Sequence, residues 1–565
     1  MRSSVLLAAA ALACGVLSMA QEASVPAQPA DLILTNAVIY TGEGFAEDKP
    51  ATVEAMAIRG GKVIGIGSSD DMMRLAGAKT RVRDVDTEKT GVYVFPGFDD
   101  AHTHLAQAGS MKLNLDLSGA RSRQAMMAAV AEFARTLPPG HWIAGRRWDQ
   151  TLWPGQALPD RQELDEVTAG HPAFLVRVDG HIALANTAAL KAAGIAAGTK
   201  APQGGAIDLD ARGQPTGIVR ESAQDLVTQV IPPPTAAERK RGLELAIADA
   251  VANGVTSVQD FSDWEDFRAA EELEKEGKLG VRISEWIPFK APLEEEKRER
   301  AQHRRDDPML HTGMLKGFMD GSLGSRTAAL KQPYRDDPGN TGLPQFTQAE
   351  LNAMTVERAK AGFQIGFHAI GDKGVEMALD ALSQPGVPRT ARNRIEHAQV
   401  VDETEIARFR ELGVIASMQP SQLLTDMRWA EARLGTQRAA YSYAWKSFLD
   451  AGVRLAFGTD YPVEPISPCR GLYAAVTRKS EDGRQSYFPE QRISRGQALF
   501  AYTQGSAYAE FAEKTKGRLE PGFDADFILV DRDLYWVPAR ELLQARTLET
   551  YSGGRQVFVA GMHLQ

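Results

Sequence analysis

Short apolar segments alternate with longer stretches of helical pattern through the middle of the chain. Eight of these segments have the length of strands, at 94–98, 257–259, 282–284, 315–319, 364–367, 394–396, 414–417 and 455–458. Strands separated by helices are typical of βα units around a parallel sheet. The pattern therefore predicts an α/β fold, a (β/α)8 TIM-like barrel, whose chemistry lies at the carboxyl ends of the strands.

The two ends of the chain contain a different pattern, short β-rich segments separated by glycines. They lie at 32–40 and 55–67 near the start, and at 519–530 and 556–561 near the end. Short β segments with glycine turns are strand-and-turn signals. We predict one small composite β-sandwich built from residues 31–90 and 515–565, flanking a barrel domain at 91–514. Residues 110–235 do not fit the barrel count and predict an inserted lid or specificity region.

The first twenty residues have the pattern of a secretory signal. Arg2 precedes an apolar run, and small residues at Ser18 and Ala20 suit cleavage after Ala20, before a Pro/Ala-rich linker at 21–30. The run is shorter than the ~20 apolar residues that a membrane-spanning helix needs. We therefore predict an exported, periplasmic protein without a membrane span. Lipidation at Cys14 is a less favoured alternative, because Leu12 lies one position too close to the cysteine.

The charge balance excludes one class of partner. Lys and Arg total 64 against 73 Asp and Glu, which gives a net charge of -9. Binding to a phosphate backbone needs a basic balance or a basic stripe, and the sequence has neither. We expect a small-molecule substrate and no nucleic acid.

Histidines at strand ends carry the strongest chemical signal. His102 and His104 follow the first predicted strand and are two residues apart, so in extended backbone both rings point to the same side. His368 and His397 follow two further strands, and Asp460 follows the last. Neutral imidazole and carboxylate groups are the ligands of zinc-type metals. The sequence therefore predicts a catalytic metal site at the carboxyl rim of the barrel.

Four further residues are candidates for contacts with a substrate. His181 could donate to a carbonyl or leaving group with Asp179 orienting it, or the two could form a buried structural pair. Arg326 follows a Gly/Ser-rich loop and could clamp a substrate carboxylate, or only fix that loop. Trp148 could form an apolar pocket wall, although large aromatic residues are more often part of a core.

These motifs resemble those of the metal-dependent amidohydrolase superfamily. The matching segments are PGFDDAHTH (96–104), FHAIGD (367–372), EHA (396–398) and GTD (458–460). DGH (179–181) and DGSLGSRTA (320–328) resemble the YtcJ-like branch, which includes N-substituted formamide deformylases. The terminal segments match the β-sandwich of that family, so the resemblance covers nearly all of the mature chain.

The resemblance implies a ligand set. His102, His104 and Asp460 would hold one divalent metal, most simply zinc, and His368 and His397 a second. A carbamylated Lys316 would bridge the two ions, because carbamylation turns an ammonium into a carboxylate. The alternative is that Lys316 pairs with Asp320 and only one metal binds.

The resemblance also implies an activity, hydrolysis of an amide-type C–N bond in an N-substituted amide, a formamide or an N-acyl compound. Metal-activated hydroxide would attack the carbonyl, and Asp460 would carry the proton to the leaving nitrogen. Hydrolysis of an ester, lactone or carbamate stays open, as does a non-catalytic exported binding protein. Self-association into a homo-oligomer is compatible with the family.

Overall fold

Eight parallel strands form the central sheet of this computed structural model, which describes residues 28–178, 180–202, 205–303 and 307–561. In chain order they are β1 (Phe98–Thr103), β2 (Val255–Phe261), β3 (Arg282–Pro288), β4 (Leu310–Phe318), β5 (Ile365–Ala369), β6 (Arg394–His397), β7 (Ile415–Met418) and β8 (Leu455–Phe457). Just beyond β8, the Asp460 amide donates to the His102 carbonyl and the His104 amide to the Tyr461 carbonyl, each at 2.8 Å. These bonds bring the last strand against the first and confirm the barrel.

Helices cover the outside of the barrel, so most of its strands are buried along almost their whole length. The main ones are Leu105–Leu113, Ala236–Ala252, Trp264–Lys275, Leu293–Gln302, Gln348–Lys360, Asp372–Leu382, Glu403–Leu412, Trp445–Asp450, Pro468–Thr477 and Arg495–Phe500. Shorter helices at Gln422–Asp426, Ala430–Leu434, Thr436–Ala439 and Ser506–Ala509 complete the connections and the floor of the barrel. Local sequence sets where helices begin: Thr235 and Glu238 form a capping box at the start of Ala236–Ala252.

The prediction that residues 94–98 form the first barrel strand is wrong. The strand Tyr93–Pro96 pairs with Phe527–Val530 in the terminal domain, and the barrel strand begins after it, at Phe98. Gly97 separates the two strands, and a Cβ at this position would overlap Thr256. The boundary between sandwich and barrel therefore lies at Gly97, a few residues beyond the predicted 90/91, and His102 lies within β1 rather than after it.

The two ends of the chain form a β-sandwich, as predicted. One sheet contains Leu32–Thr35, Ala55–Arg59, Lys62–Gly67 and Arg81–Asp84, and the other contains Ile39–Tyr40, Thr52–Val53, Tyr93–Pro96, Phe527–Val530, Thr547–Ser552 and Arg555–Val559. Leu34, Met56, Val94, Phe527 and Leu529 pack in the core between the sheets. The C-terminal strands complete a sheet that the N-terminal strands begin.

The region between β1 and Ala236–Ala252 forms its own α/β unit. Its six-stranded mixed sheet consists of Leu115–Asp116, Ile143–Trp148, Ala173–Arg177, Ile182–Ala185, Gly205–Leu209 and Pro215–Glu221, with helices Arg123–Ala134, Arg161–Val167 and Thr187–Ala192 beside it. Two separate apolar clusters stabilise it. The unit connects to the barrel through two helices that cross closely, because Gly109 faces Gly242 where a Cβ at Gly109 would overlap backbone.

The predicted signal segment at 1–20, with most of the following linker, lies outside the described residues. Among the helices that the structure describes, none has the length and apolar character to cross a membrane.

Candidate metal centre

Three side chains from distant parts of the chain converge at the carboxyl end of the barrel. His102 in β1, His397 at the end of β6 and Asp460 after β8 each offer a ligand atom, and these atoms lie within 4.8 Å of one another. All three residues are buried. Nδ1 of His397 is a buried nitrogen without a hydrogen-bond partner among the described residues. Buried, unpaired imidazole beside carboxylate is the donor set that zinc and similar ions prefer.

The other two predicted histidines lie next to this cluster. His104 Nε2 is 3.1 Å from Asp460 Oδ1. The ring centroid of His368 is 4.4 Å from that of His397, and His368 Nε2 donates to the Gly321 carbonyl at 3.1 Å. This bond leaves Nδ1 of His368 as the nitrogen that could bind a metal. The structure thus brings together all four histidines and the aspartate that the sequence singled out.

Lys316 in β4 reaches the same place from inside the barrel. Its Nζ lies 2.6 Å from His102 Nε2, and burial lowers the pKa of Lys316 to about 8. Lys316 has no ion pair with a carboxylate among the described residues, and Asp320 instead accepts the backbone amides of Ala329, Ile370 and Gly371. The alternative in which Lys316 pairs with Asp320 is therefore not the arrangement in this structure.

Burial also sets the charge state of the histidines. It lowers the pKa of His102, His368 and His397, in the first two well below the usual value. Neutral imidazole is the form that binds metals. Burial acts to raise the pKa of Asp460, but the surrounding imidazoles of His102, His104 and His397 outweigh it and hold the pKa below its ordinary value.

Two of these residues have an unusual backbone conformation. His397 has φ of 71° and Asp460 has φ of 60°, in the left-handed region that non-glycine residues seldom adopt. Such conformations persist where the surrounding structure fixes them, and they are concentrated at functional sites. His397 is the last residue of β6, and Asp460 lies three residues beyond the end of β8.

Sequence reasoning missed a set of polar side chains behind and beside these residues. Glu396 Oε2 lies 2.7 Å from His102 Nδ1, and Arg394 pairs with Glu396. Gln419 approaches the same ring, and Gln422 Nε2 donates to Asp460 Oδ2 at 2.8 Å. The position of Glu396 directly before His397 was the one available signal; the two glutamines follow β7 without any distinguishing pattern.

The candidates for substrate contact have different outcomes. His181 lies in the inserted unit with 66% of its side chain exposed, and its Nδ1 is 3.0 Å from Glu221 Oε2. Asp179 lies outside the described residues, so the predicted His–Asp pair has no structural test here. Arg326 pairs with Asp336, with guanidinium and carboxylate atoms at 2.9 and 3.2 Å.

The prediction for Trp148 is corrected by the structure. Its side chain is fully buried in the core of the inserted unit, and its Nε1 donates to the Leu175 carbonyl at 2.7 Å. The residue packs between the sheet and helices of that unit, so it forms no wall of a substrate pocket.

A cavity of about 420 Å³ opens beside the cluster. His104, Phe261, Arg239, Asp263 and Asp266 are among the residues that line it. This volume is within the range of pockets that take small molecules. Phe261 and His104 are also in perpendicular ring contact, with centroids 5.7 Å apart, so the cavity adjoins the cluster at His104.

Comparison with known proteins gives one family. The family model described as "Amidohydrolase family" matches residues 90–558. The chain is 32% identical over 516 residues to "Putative amidohydrolase YtcJ" of Bacillus subtilis, covering 89% of this chain and 96% of that protein. It is 28% identical over 549 residues to "N-substituted formamide deformylase" of Arthrobacter pascens, covering 93% and 98%.

Solved structures show the same similarity. An uncharacterized metal-dependent hydrolase from Pyrococcus furiosus matches with a TM-score of 0.75 and 32% identity, over 89% of this chain and 99% of that one. The match covers the barrel together with the domains around it.

Proposed function

Since this chain belongs to the amidohydrolase family, in its YtcJ-like branch, we propose that it hydrolyses an amide-type C–N bond in a small molecule. The observation that carries the proposal is the convergence of His102, His397 and Asp460, whose ligand atoms lie within 4.8 Å of one another. A buried cluster of this kind at the carboxyl end of a barrel is where this fold performs its chemistry.

The proposed metal is zinc, with two ions per chain. His102, His104 and Asp460 would hold one ion and His368 and His397 the other, with Lys316 between them as a carbamylated bridge. The short distance from Lys316 Nζ to His102 Nε2, 2.6 Å, supports a bridging position for this lysine. Carbamylation replaces a cation that would repel the metals with an anionic oxygen donor.

Asp460 is the proposed proton carrier. A bound divalent metal supplies a Lewis acid for the carbonyl and lowers the pKa of water. Asp460 Oδ1 faces His102 and His104, while Gln422 holds Oδ2, so the carboxylate is fixed in orientation. It accepts a proton from the attacking water and delivers it to the leaving nitrogen. One water is consumed, and a carboxylic acid and an amine are formed.

The relative from Arthrobacter pascens supports N-substituted formamides as the first substrates to test, because that protein is named for this reaction. The experiment incubates the purified protein with N-alkyl- and N-arylformamides, N-acetyl amino acids and the matching esters, with and without a chelator. Chelator-sensitive release of formate or acetate from the amides supports the proposal. Turnover of esters alone would make the protein an esterase, and no turnover of any compound would favour a binding protein.

We also propose export to the periplasm, on the basis of the sequence pattern of residues 1–20. Cell fractionation followed by N-terminal sequencing of the mature protein tests this directly. A mature chain that begins at Gln21 supports cleavage after Ala20, and a lipid-modified Cys14 would show the alternative.

A further inference from the structure

We propose that Glu396 is a positioning residue, which holds His102 so that its Nε2 faces the metal. The inference rests on the proposed metal-dependent function. Glu396 Oε2 lies 2.7 Å from His102 Nδ1, and both side chains have no exposed surface. A carboxylate can only accept, so this contact requires the proton of the neutral imidazole to be on Nδ1. Nε2, which faces Lys316 and Asp460, is then the unprotonated nitrogen, whose lone pair can bind a metal.

Glu396 supports a candidate metal ligand and is not one of the ligands that we propose. Its second oxygen, Oε1, lies 2.8 Å from Arg394 Nε in an ion pair. Glu396 contacts His102 at Nδ1, whereas Asp460 lies near Nε2, the other ring nitrogen. Arg394 is itself fixed, because its guanidinium donates to the Ala101 carbonyl at 2.8 Å and to Ser417 Oγ at 2.7 Å. It also donates to Gln259. The pair is thereby anchored to three neighbouring strands of the barrel, β1, β2 and β7.

The backbone of β6 explains how two adjacent residues, the candidate ligand His397 and the positioning residue Glu396, both reach His102. Consecutive residues of a strand point to opposite faces, yet Glu396 and His397 both reach His102, whose ring centroid is 5.0 Å from that of His397. The alternation ends at His397, where φ is 71°. The left-handed conformation at His397 therefore places two adjacent side chains around one imidazole.

Gln419 makes a second contact with Nδ1 of His102, and this contact would favour the opposite tautomer. Gln419 Nε2 lies 3.3 Å from His102 Nδ1 and could donate only to an unprotonated nitrogen. The carboxylate contact is shorter and involves a charged acceptor, and such hydrogen bonds are about twice as strong as neutral ones. Glu396 therefore determines the tautomer. A carboxylate in this position also raises the basicity of the ligand nitrogen, and its loss typically weakens metal binding by about 10–100-fold.

The test compares wild type with Glu396→Gln and Glu396→Ala, and uses Glu285→Gln as a matched control. Glu285 is an equally buried barrel carboxylate that contacts Ser262. The metal-free proteins are titrated with Co²⁺, and the visible absorption band reports affinity and coordination. We expect roughly tenfold weaker binding in the glutamine variant, which keeps an acceptor for Nδ1–H, and roughly hundredfold in the alanine variant. The control should bind as wild type does.

A second measurement needs no metal. Nitrogen NMR of ¹⁵N-histidine-labelled apoprotein, with His102→Ala for assignment, should show the proton of His102 on Nδ1 in wild type. An Nε2–H tautomer, or equal Co²⁺ affinities for wild type and both Glu396 variants, would overturn the inference. Because neither readout uses a substrate, failure to hydrolyse amides would contradict the proposed function without affecting this result.

Discussion

Asp460 Oδ1 lies 3.1 Å from His104 Nε2, and this contact joins the residue just after the first strand of the barrel to the segment after the last strand. The same oxygen is 3.4 Å from His102 Nε2. Closure of the barrel and assembly of the metal centre therefore depend on the same few residues. The backbone bonds between 102–104 and 460–461 hold the two side chains in this relation.

Replacement of this carboxylate tests its role in proton transfer. Asp460→Asn keeps an oxygen near His104 but removes the proton acceptor. We expect metal to be retained largely while kcat falls by about 10²–10⁴-fold, the usual contribution of a general acid–base group. Asp426→Asn is the control, because Asp426 is a half-buried carboxylate that accepts hydrogen bonds from Tyr443 and Gln399 instead. An unchanged kcat in Asp460→Asn would remove Asp460 as the proton carrier.

Removal of the proposed bridge should change metal content. Lys316→Ala is expected to lose at least one metal ion per chain together with activity, because it removes the side chain proposed to bridge the ions, whose Nζ lies 2.6 Å from His102 Nε2. Lys331→Ala is a suitable comparison, since this lysine pairs with Asp402 and Glu405 outside the centre. Elemental analysis of both variants gives the answer, and full metal content in Lys316→Ala would rule out the bridge.

The helix crossing at the base of the inserted unit makes a prediction about stability. Gly109→Ala places a Cβ against the backbone of Gly242, whereas Gly119→Ala places one in open space. Overpacking of this kind costs about 1–3 kcal/mol. We expect a lower melting temperature for Gly109→Ala and little change for Gly119→Ala. Equal melting temperatures would mean that the two helices can separate without cost.

A buried acid predicts a pH dependence of stability. Glu296 is 2% exposed, and burial raises its pKa to about 7 from the ordinary 4.5. Between these values the folded chain holds a proton that the unfolded chain has lost, so this group lowers stability as pH rises from about 4.5 to about 7. In Glu296→Gln that contribution is absent.

Thermal melts across this pH range test the assignment. The melting temperature of Glu296→Gln, relative to wild type, should rise with pH. Glu295→Gln, one residue earlier and exposed, should follow the wild-type curve. Parallel curves for wild type and Glu296→Gln would show that Glu296 titrates normally in the folded protein.

The ion pair of Arg326 with Asp336 predicts that Arg326 fixes its loop and does not bind a substrate carboxylate. It is paired with Asp336, and both side chains are partly exposed, at 37% and 31%. A double-mutant cycle with Arg326→Ala and Asp336→Ala should give a coupling energy of about 0.5–1 kcal/mol, as surface pairs do. A selective rise in KM for acidic substrates in Arg326→Ala would instead support the carboxylate clamp.

Much of the fold follows from periodicity along the chain. Seven of the eight barrel strands and the shared sandwich could be predicted because buried strands are continuous apolar runs and glycines mark their ends. The assignment of Tyr93–Pro96 failed because two buried strands follow one another with only Gly97 between them. Local sequence does not say which sheet a strand joins.

The position of the candidate metal ligands could be predicted from the sequence, but the residues around them could not. His102, His368, His397 and Asp460 stand at strand ends, and a parallel barrel brings strand ends together. Glu396 escaped notice because an alternating strand would point it away from its neighbour His397, and only the positive φ at His397 changes that. Trp148 was a candidate for a pocket wall because local sequence does not distinguish an aromatic side chain that lines a pocket from one that packs in a core.

The central claim is that this chain holds a metal at the carboxyl end of its barrel, and metal content measures it most directly. Elemental analysis of the purified protein, prepared without chelator, should give about two divalent ions per chain. His102→Ala/Asp460→Ala should lower that number. A protein that binds no metal, even after incubation with zinc, would contradict the account.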